Sequence, residues 1–335
     1  VALDEERLAS LRVDRLAQQA ASVPGLGPLD GPPVALGGLV VARAGAVAVA
    51  GVVGRGVSSL GPALAVALSR GAQQLEVIVT DDLASAAVLA RRSEQFAFPV
   101  RVWSATGGLL EPGIAAPTPE RVGPPVEALD LGTMIVEAGA EVIVEHGVVT
   151  AEVEGLEVAR AVPDGSDWRL EVGVGSHDRE ASAVVHADVP TLDALRRAVD
   201  EVRTRRSAGQ PHHPLNRLAA ERWMRRWLID HPSEVGAANL EPCEPALPRP
   251  SLRDPAPAMA VGRDSTDAPL LVACSVGIDL ELVPEAADTR AASAPDAALV
   301  LVLPHRDAQP VTERLARALH RPARIVAIDD DRWRA

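Results

Sequence analysis

The stretch GLVVARAGAVAVAGVVGRGVSSLGPALAVAL, residues 38–68, decides the fold class. A short apolar run ends at Arg43, a turn follows, and a second Val-rich run leads through Gly54 into a segment of helical character. Apolar β-branched runs bounded by glycine read as strands, and a longer Ala/Leu-rich segment reads as a helix. GLEVARAVPDGSDWRLEVGVGSHDREASAVV (155–185) and AMAVGRDSTDAPLLVACSVGIDLELVPEAADTRA (258–291) follow the same plan, with Arg160 and Arg263 closing the first strand and Gly175 and Gly277 after the second. The first and third copies continue alike. LEVIVTD (75–81), a helix over 82–95 and VRVW (100–103) match ALVLVLP (298–304), a helix over 309–320 and ARIVAI (323–328). Strands alternating with helices at this spacing predict an α/β fold, with repeated strand-turn-strand-helix-strand-helix-strand modules and mixed sheets flanked by helices.

Around these modules the chain divides at three Pro-rich stretches, 24–33, 111–125 and 241–258, where fixed φ and missing donors favour surface crossings. The expected organisation is an N-terminal module over 1–110, a middle segment over 126–240 with acidic strands and Arg-rich helices, and a C-terminal module over 256–335. Residues 4–22 read as an amphipathic helix with Leu8, Leu11, Leu16 and Ala20 on one face. The middle segment ends in two helices near 191–206 and 214–230, the first burying Leu192, Leu195, Val199 and Val202. The tail IDDDRWRA (328–335) reads as a solvated end.

Composition narrows the chemistry. Of 335 residues 47% are hydrophobic, enough to bury a core. There is no lysine, so all 33 basic residues are arginine and any lysine-based mechanism is excluded; with 2% aromatics this fits the coding bias of a GC-rich genome. A net charge of −13 disfavours non-specific gripping of long nucleic acid outside a local basic patch. Two cysteines, Cys243 and Cys274, form no CxxC pair, which excludes a cysteine-based zinc site and fits a reducing, cytoplasmic setting. Cys274 in LLVACSV reads as core. The charged opening VALDEERLASLR does not read as a signal peptide, and the longest apolar stretch, 34–53, is interrupted by Arg43, so no membrane association is expected.

The order of elements resembles the core of the PD-(D/E)xK, or restriction-endonuclease-like, nuclease superfamily, best over 256–329, next over 34–104 and in part over 135–185. The resemblance implies a carboxylate on a first strand and an E-x-K on the second, converging on Mg²⁺ or Mn²⁺. At the E-x-K place the third copy has Ala273-Cys274-Ser275 and the first has Ala50-Gly51-Val52. The middle copy keeps Glu157 and Glu171, with Glu137 or Glu141 close by and Gly173 where the lysine would stand. Glu157 and Glu171 are the candidate metal ligands and, with His177 and Asp178 of GSHDREA, the candidate catalytic residues; Arg160 or Arg179 could supply positive charge but no base. GSHDREA equally reads as a helix start, with Ser176 or Asp178 as its cap.

Two further patterns concern anions. GVVGRGVS (51–58) has the glycine spacing of a P-loop between a strand and a helix, with Val57 at the lysine place; Gly51, Gly54, Arg55, Gly56 and Ser58 are the candidate anion-binding residues, and Asp81-Asp82 follows the next strand. Segment 195–228 holds nine arginines, Arg196, Arg197, Arg203, Arg205, Arg206, Arg217, Arg222, Arg225 and Arg226, with Trp223 and Trp227 four apart. Such a surface binds nucleic acid or an acidic protein partner, or else covers the chain's own core and acids. The expectation is a non-catalytic nuclease-like scaffold or interaction protein working through 195–228. The alternatives are a metal-dependent phosphodiesterase in the middle segment and a nucleotide or anion binder at 51–58.

Overall fold

The computed structural model describes residues 2–36, 38–52, 56–175, 190–207, 213–249 and 256–334. Val1–Thr118, Leu280–Asp288 and Gln309–Arg324 form one compact unit; Pro119–Asp279, Thr289–Ala308 and Ile325–Ala335 form the other.

The first unit is built on a six-stranded sheet of strands β1 (Val34–Leu36), β2 (Leu39–Ala44), β3 (Val47–Val52), β4 (Gln74–Thr80), β5 (Val100–Thr106) and β6 (Leu109–Pro112), neighbours in that order. β2 and β3 form an antiparallel hairpin, β3, β4 and β5 run parallel, and β6 turns back antiparallel. Parallel strands need crossovers, supplied by α2 (Leu60–Ser69) and α3 (Leu83–Ser93). β3 and β4 are buried on both faces, which explains their unbroken apolar runs. The helix expected at 4–22 is α1 (Ala2–Ala20). Its Leu16 and Ala20 pack with Val40, Val49, Ile78 and Trp103. Leu8 and Leu11 instead stay 50% and 58% exposed, because only the C-terminal part of the helix is buried. Asp82 caps α3 by accepting from the Ser85 amide at 2.9 Å.

The second unit contains a four-stranded antiparallel meander of β7 (Glu141–Glu145), β8 (Val148–Val153), β9 (Leu156–Asp164) and β10 (Asp167–Val172). Its first two hairpins close on His146-Gly147 and Glu154-Gly155, all four residues at positive φ, the geometry of tight two-residue turns. One face of the meander is apolar. Val149, Ala151, Leu156 and Val158 pack there with Leu195, Val199 and Val202 of α6 (Thr191–Arg205) and with Ala128 and Ile135 of the short helices α4 (Val126–Asp130) and α5 (Gly132–Glu137).

The chain's third sheet has the strand order β11 (Ala237–Cys243), β12 (Ala258–Asp264), β13 (Pro269–Cys274), β14 (Ala298–Pro304), β15 (Arg324–Ile328). Here too an antiparallel hairpin, β12–β13, is followed by a helix, α8 (Leu282–Ser293), and a parallel strand, β14. α9 (Pro310–Arg317) lies between β14 and β15. Helix α7 (Ala220–Asp230) lays Ala220, Trp223, Met224 and Leu228 against β11–β14. The acidic tail is not a solvated end: Trp333 is buried and meets Trp223 edge to face at 5.7 Å. The aromatic payload of that single residue outweighs the solvation of its charged neighbours.

Candidate functional site

The other face of α7 carries the arginines, and it meets the polar face of the meander. Two backbone features set this up. The extra residue Val158 in β9 lets Glu157 pair with Glu152 while Ala159 pairs with Ala151. Such a bulge resets side-chain alternation, so Glu157 and Arg160, three apart, share a face. In the Glu154-Gly155 turn, a Cβ on Gly155 would stand 2.3 Å from the Arg222 carbonyl carbon. Only glycine lets the turn approach the helix backbone this closely.

Three arginines and three glutamates then interlock. Arg225 donates to Glu145 at 2.9 Å and to Glu152 at 3.1 Å. Arg222 donates to the same two carboxylates, and Arg160 forks onto Glu157 through two bonds of 2.9 Å. Arg226 pairs with Glu141 at the edge and with Asp230 at 2.7 Å. Arg225 is 2% exposed, so its own two bonds have little water to compete with. Paired guanidinium and carboxylate are also what make burial of either tolerable.

The fields inside the cluster diverge. Burial pushes the Glu152 carboxyl up, against the pull of Arg222 and Arg225. Burial also pushes on Glu145, but Arg222 and Arg225 outweigh it and hold that carboxyl below the ordinary glutamate value. Glu141 is raised, mainly by burial. Glu152 and Glu141 therefore take up protons at higher pH than Glu145 does. A carboxyl raised in the folded state contributes stability below its unfolded value that is lost as pH rises through the folded value. Glu152→Gln removes that loss. Urea unfolding should show its stability relative to wild type increasing from about pH 4.5 upward. Parallel pH profiles for the two proteins would contradict this assignment.

The remaining arginines of 195–228 divide by exposure. Arg206 is buried, stacks 4.8 Å from the Trp223 ring centroid, and donates to the carbonyls of Glu154, Leu215 and Leu218. Burial pulls it down to about 10, so it stays charged at neutral pH. Arg196 pairs with Glu137 at 2.9 Å, and Arg203 donates to the Gly139 carbonyl at 2.5 Å. Arg196, Arg197, Arg203 and Arg217 are exposed, and Arg205 is half-buried. Trp223 is core; Trp227 is half-buried, stacked on His231 at 4.7 Å with Arg332 over it at 5.5 Å.

The proposed metal ligands are engaged. Glu157 is buried and held by Arg160; Glu171, opposite Arg160 in register, accepts from Arg169 at 2.6 Å. Among the described residues no group of three or more His, Cys, Asp or Glu side chains is placed to hold a metal ion. His177 and Asp178 lie outside the described residues, as do Arg179, Gly54 and Arg55.

At the loop 51–58, Gly51 is buried in β3 against Leu16, Gly56 has φ +52°, and Ser58 is exposed. The start of α2 already holds a carboxylate: the Gly61 amide donates to Glu281 at 2.7 Å. Close packing enforces this, since a Cβ on Gly61 would stand 1.9 Å from the Leu280 carbonyl oxygen. Arg92 binds Glu281 at 3.2 Å and Asp288 at 3.3 Å, and Arg91 forks onto Asp288 through two bonds of 2.8 Å. In the same unit buried Glu76 accepts from Trp103 at 2.6 Å and from Arg101 at 2.8 Å. Both thiols are buried, and burial pushes Cys274 up to about 12, so it is no nucleophile.

Sequence reading missed Glu145, Glu152, Glu281 and Asp288. The first two had a signal: EVIVEHGVVTAEVEG (141–155) alternates around two X-Gly turns, the pattern of consecutive hairpins. No helix is long and apolar enough to cross a membrane among the described residues. No protein-family model matches the chain, and no curated protein or solved structure matches it.

Proposed function

We propose that this chain is a non-catalytic interaction protein, built on a nuclease-like α/β scaffold of related end modules and working in the cytoplasm. The observation that carries the reading is the state of the acids. Glu157, Glu171, Glu145 and Glu152 each accept from a guanidinium group, so a metal ion would have to displace a buried or bidentate arginine to reach most of them. The shared order of hairpin, helix and parallel strand in 39–80 and 258–304 supports related modules. Within 195–228, the exposed Arg197, Arg203 and Arg217 are the groups through which an acidic protein or a nucleic acid would be held, while Arg222 and Arg225 hold the fold.

The test is a cleavage assay. Labelled single- and double-stranded DNA and RNA are incubated with wild type and Glu171→Ala, with Mn²⁺ or with EDTA. No cleavage above a heat-inactivated control is expected from any combination. Cleavage that needs both Mn²⁺ and Glu171 overturns the reading in favour of a phosphodiesterase.

A further inference from the structure

We infer that the outer face of α4–α5 is a docking surface for a cationic amphipathic helix of a partner protein. The inference rests on the interaction-protein reading above and adds a second surface, opposite in charge to the exposed arginines. The inner face of the two helices buries Ala128, Ile135 and Ala138 under the meander. A surface helix with its inner face so committed is expected to be polar outside. Here the outer face carries Val126, Leu129 and Val136, exposed by 68%, 44% and 64%. Leu131 between the helices keeps right-handed helical dihedrals (φ −67°, ψ −15°), so the rotation of side chains carries through the junction. Positions 126, 129, 133 and 136 then follow the 3-4-3 spacing of a coiled-coil seam, occupied by Val, Leu, Thr and Val. A seam of this kind takes another helix.

Charge selects which helix. VEALDLGTMIVE (126–137) carries three acids, Glu127, Asp130 and Glu137, and no base. Glu137 is paired with Arg196, while Glu127 and Asp130 are exposed and have no ion-pair partner among the described residues. An apolar stripe with its acids along one side, opposite the small Pro125 and Gly132, matches a helix with Leu or Val at its seam and Arg or Lys along the side that meets those acids. A second copy fits less well. The other pair of exposed leucines one helical turn apart among the described residues, Leu8 and Leu11, lies in DEERLASLRVDR (4–15), which has four acids to three arginines.

The probe is a fluorescein-labelled model helix with Leu at the seam positions and Arg at the flanks, compared with the same peptide carrying Glu at the flanks. Anisotropy titrations at 150 mM salt use the full chain, Leu129→Ser/Val136→Ser and Asp130→Arg. The expected result is binding of the Arg-flanked peptide that weakens at least tenfold in the double variant, whose net charge is unchanged. Asp130→Arg weakens it as well, and the Glu-flanked peptide binds at least tenfold less. Binding within twofold of wild type by both variants overturns the inference, as does equal binding of the two peptides. A dimer in sedimentation that Leu129→Ser/Val136→Ser dissolves also overturns it, because the occupant is then a second copy. None of these outcomes depends on the cleavage assay, so the two readings fail separately.

Discussion

Arg225→Met should lower the stability of the second unit by about 3–5 kcal/mol, the loss typical of stripping one partner from a buried ion pair. Arg225 and Arg222 together hold Glu145 and Glu152, and Arg160 holds Glu157. Removing Arg225 leaves three glutamates, Glu152 and Glu157 buried and Glu145 half-buried, to two arginines, inside a space that Met fills but cannot neutralise. Methionine keeps most of the side-chain volume, so the loss reports charge rather than a cavity. Urea unfolding followed by tryptophan fluorescence is the measurement. Trp168, Trp223, Trp227 and Trp333 report on this unit and Trp103 on the other. The midpoint should fall by roughly 1–2 M urea. A shift under about 0.2 M would mean that Arg225 is not paired as described.

Arg92→Ala should destabilise the first unit by a similar margin, about 3–5 kcal/mol. This guanidinium is almost fully buried and serves Glu281, Asp288, Glu285 and the Val57 carbonyl. Its loss takes from Glu281 and Asp288 the guanidinium that both carboxylates share, while the Gly61 amide stays on Glu281 and Arg91 on Asp288. Arg92→Lys should recover only part of the stability, because an ammonium group lacks the planar fork that reaches several acceptors at once. Full recovery by lysine would show that charge alone is needed there. The Trp103 signal should carry the transition, with the other four tryptophans less affected.

How far the fold is legible in the residues depends on which interaction each element obeys. β3, β4, β13 and β14 are buried on both faces, and their Val/Leu runs announce them. α6 buries Leu195, Val199 and Val202 at helical spacing, as read from periodicity alone. α1 is harder to read: Leu8, Leu11 and Leu16 share one broad half of the helix, but Leu8 and Leu11 stay exposed, and no local signal marks where burial begins. The β7–β8 hairpin follows its His146-Gly147 turn, a signal that the surrounding acids obscured.

The candidate sites were legible as chemistry but not as pairings. Arg222 and Arg225 are conspicuous in the sequence, yet their partners Glu145 and Glu152 lie about seventy to eighty positions away. Whether an arginine faces water or a buried carboxylate is settled by tertiary packing, and helical spacing gives only its face. The same holds for Glu281, which occupies the α2 terminus from 220 residues away. In a chain without lysine and with few aromatics, arginine–carboxylate pairs join elements in both units. Buried pairs of this kind add little net stability but penalise alternative packings.

The most direct test of this account is a double-mutant cycle on Arg225 and Glu152, with Arg225→Met, Glu152→Met and the double variant compared by urea unfolding. The double variant leaves Arg160 and Arg222 facing Glu157 and Glu145, a balanced set. The account predicts that each single variant loses more than about 2 kcal/mol and that the double loses less than their sum by about 2–3 kcal/mol. Single variants within about 0.5 kcal/mol of wild type, with additive effects, would contradict it and return these arginines to the pool available for a partner.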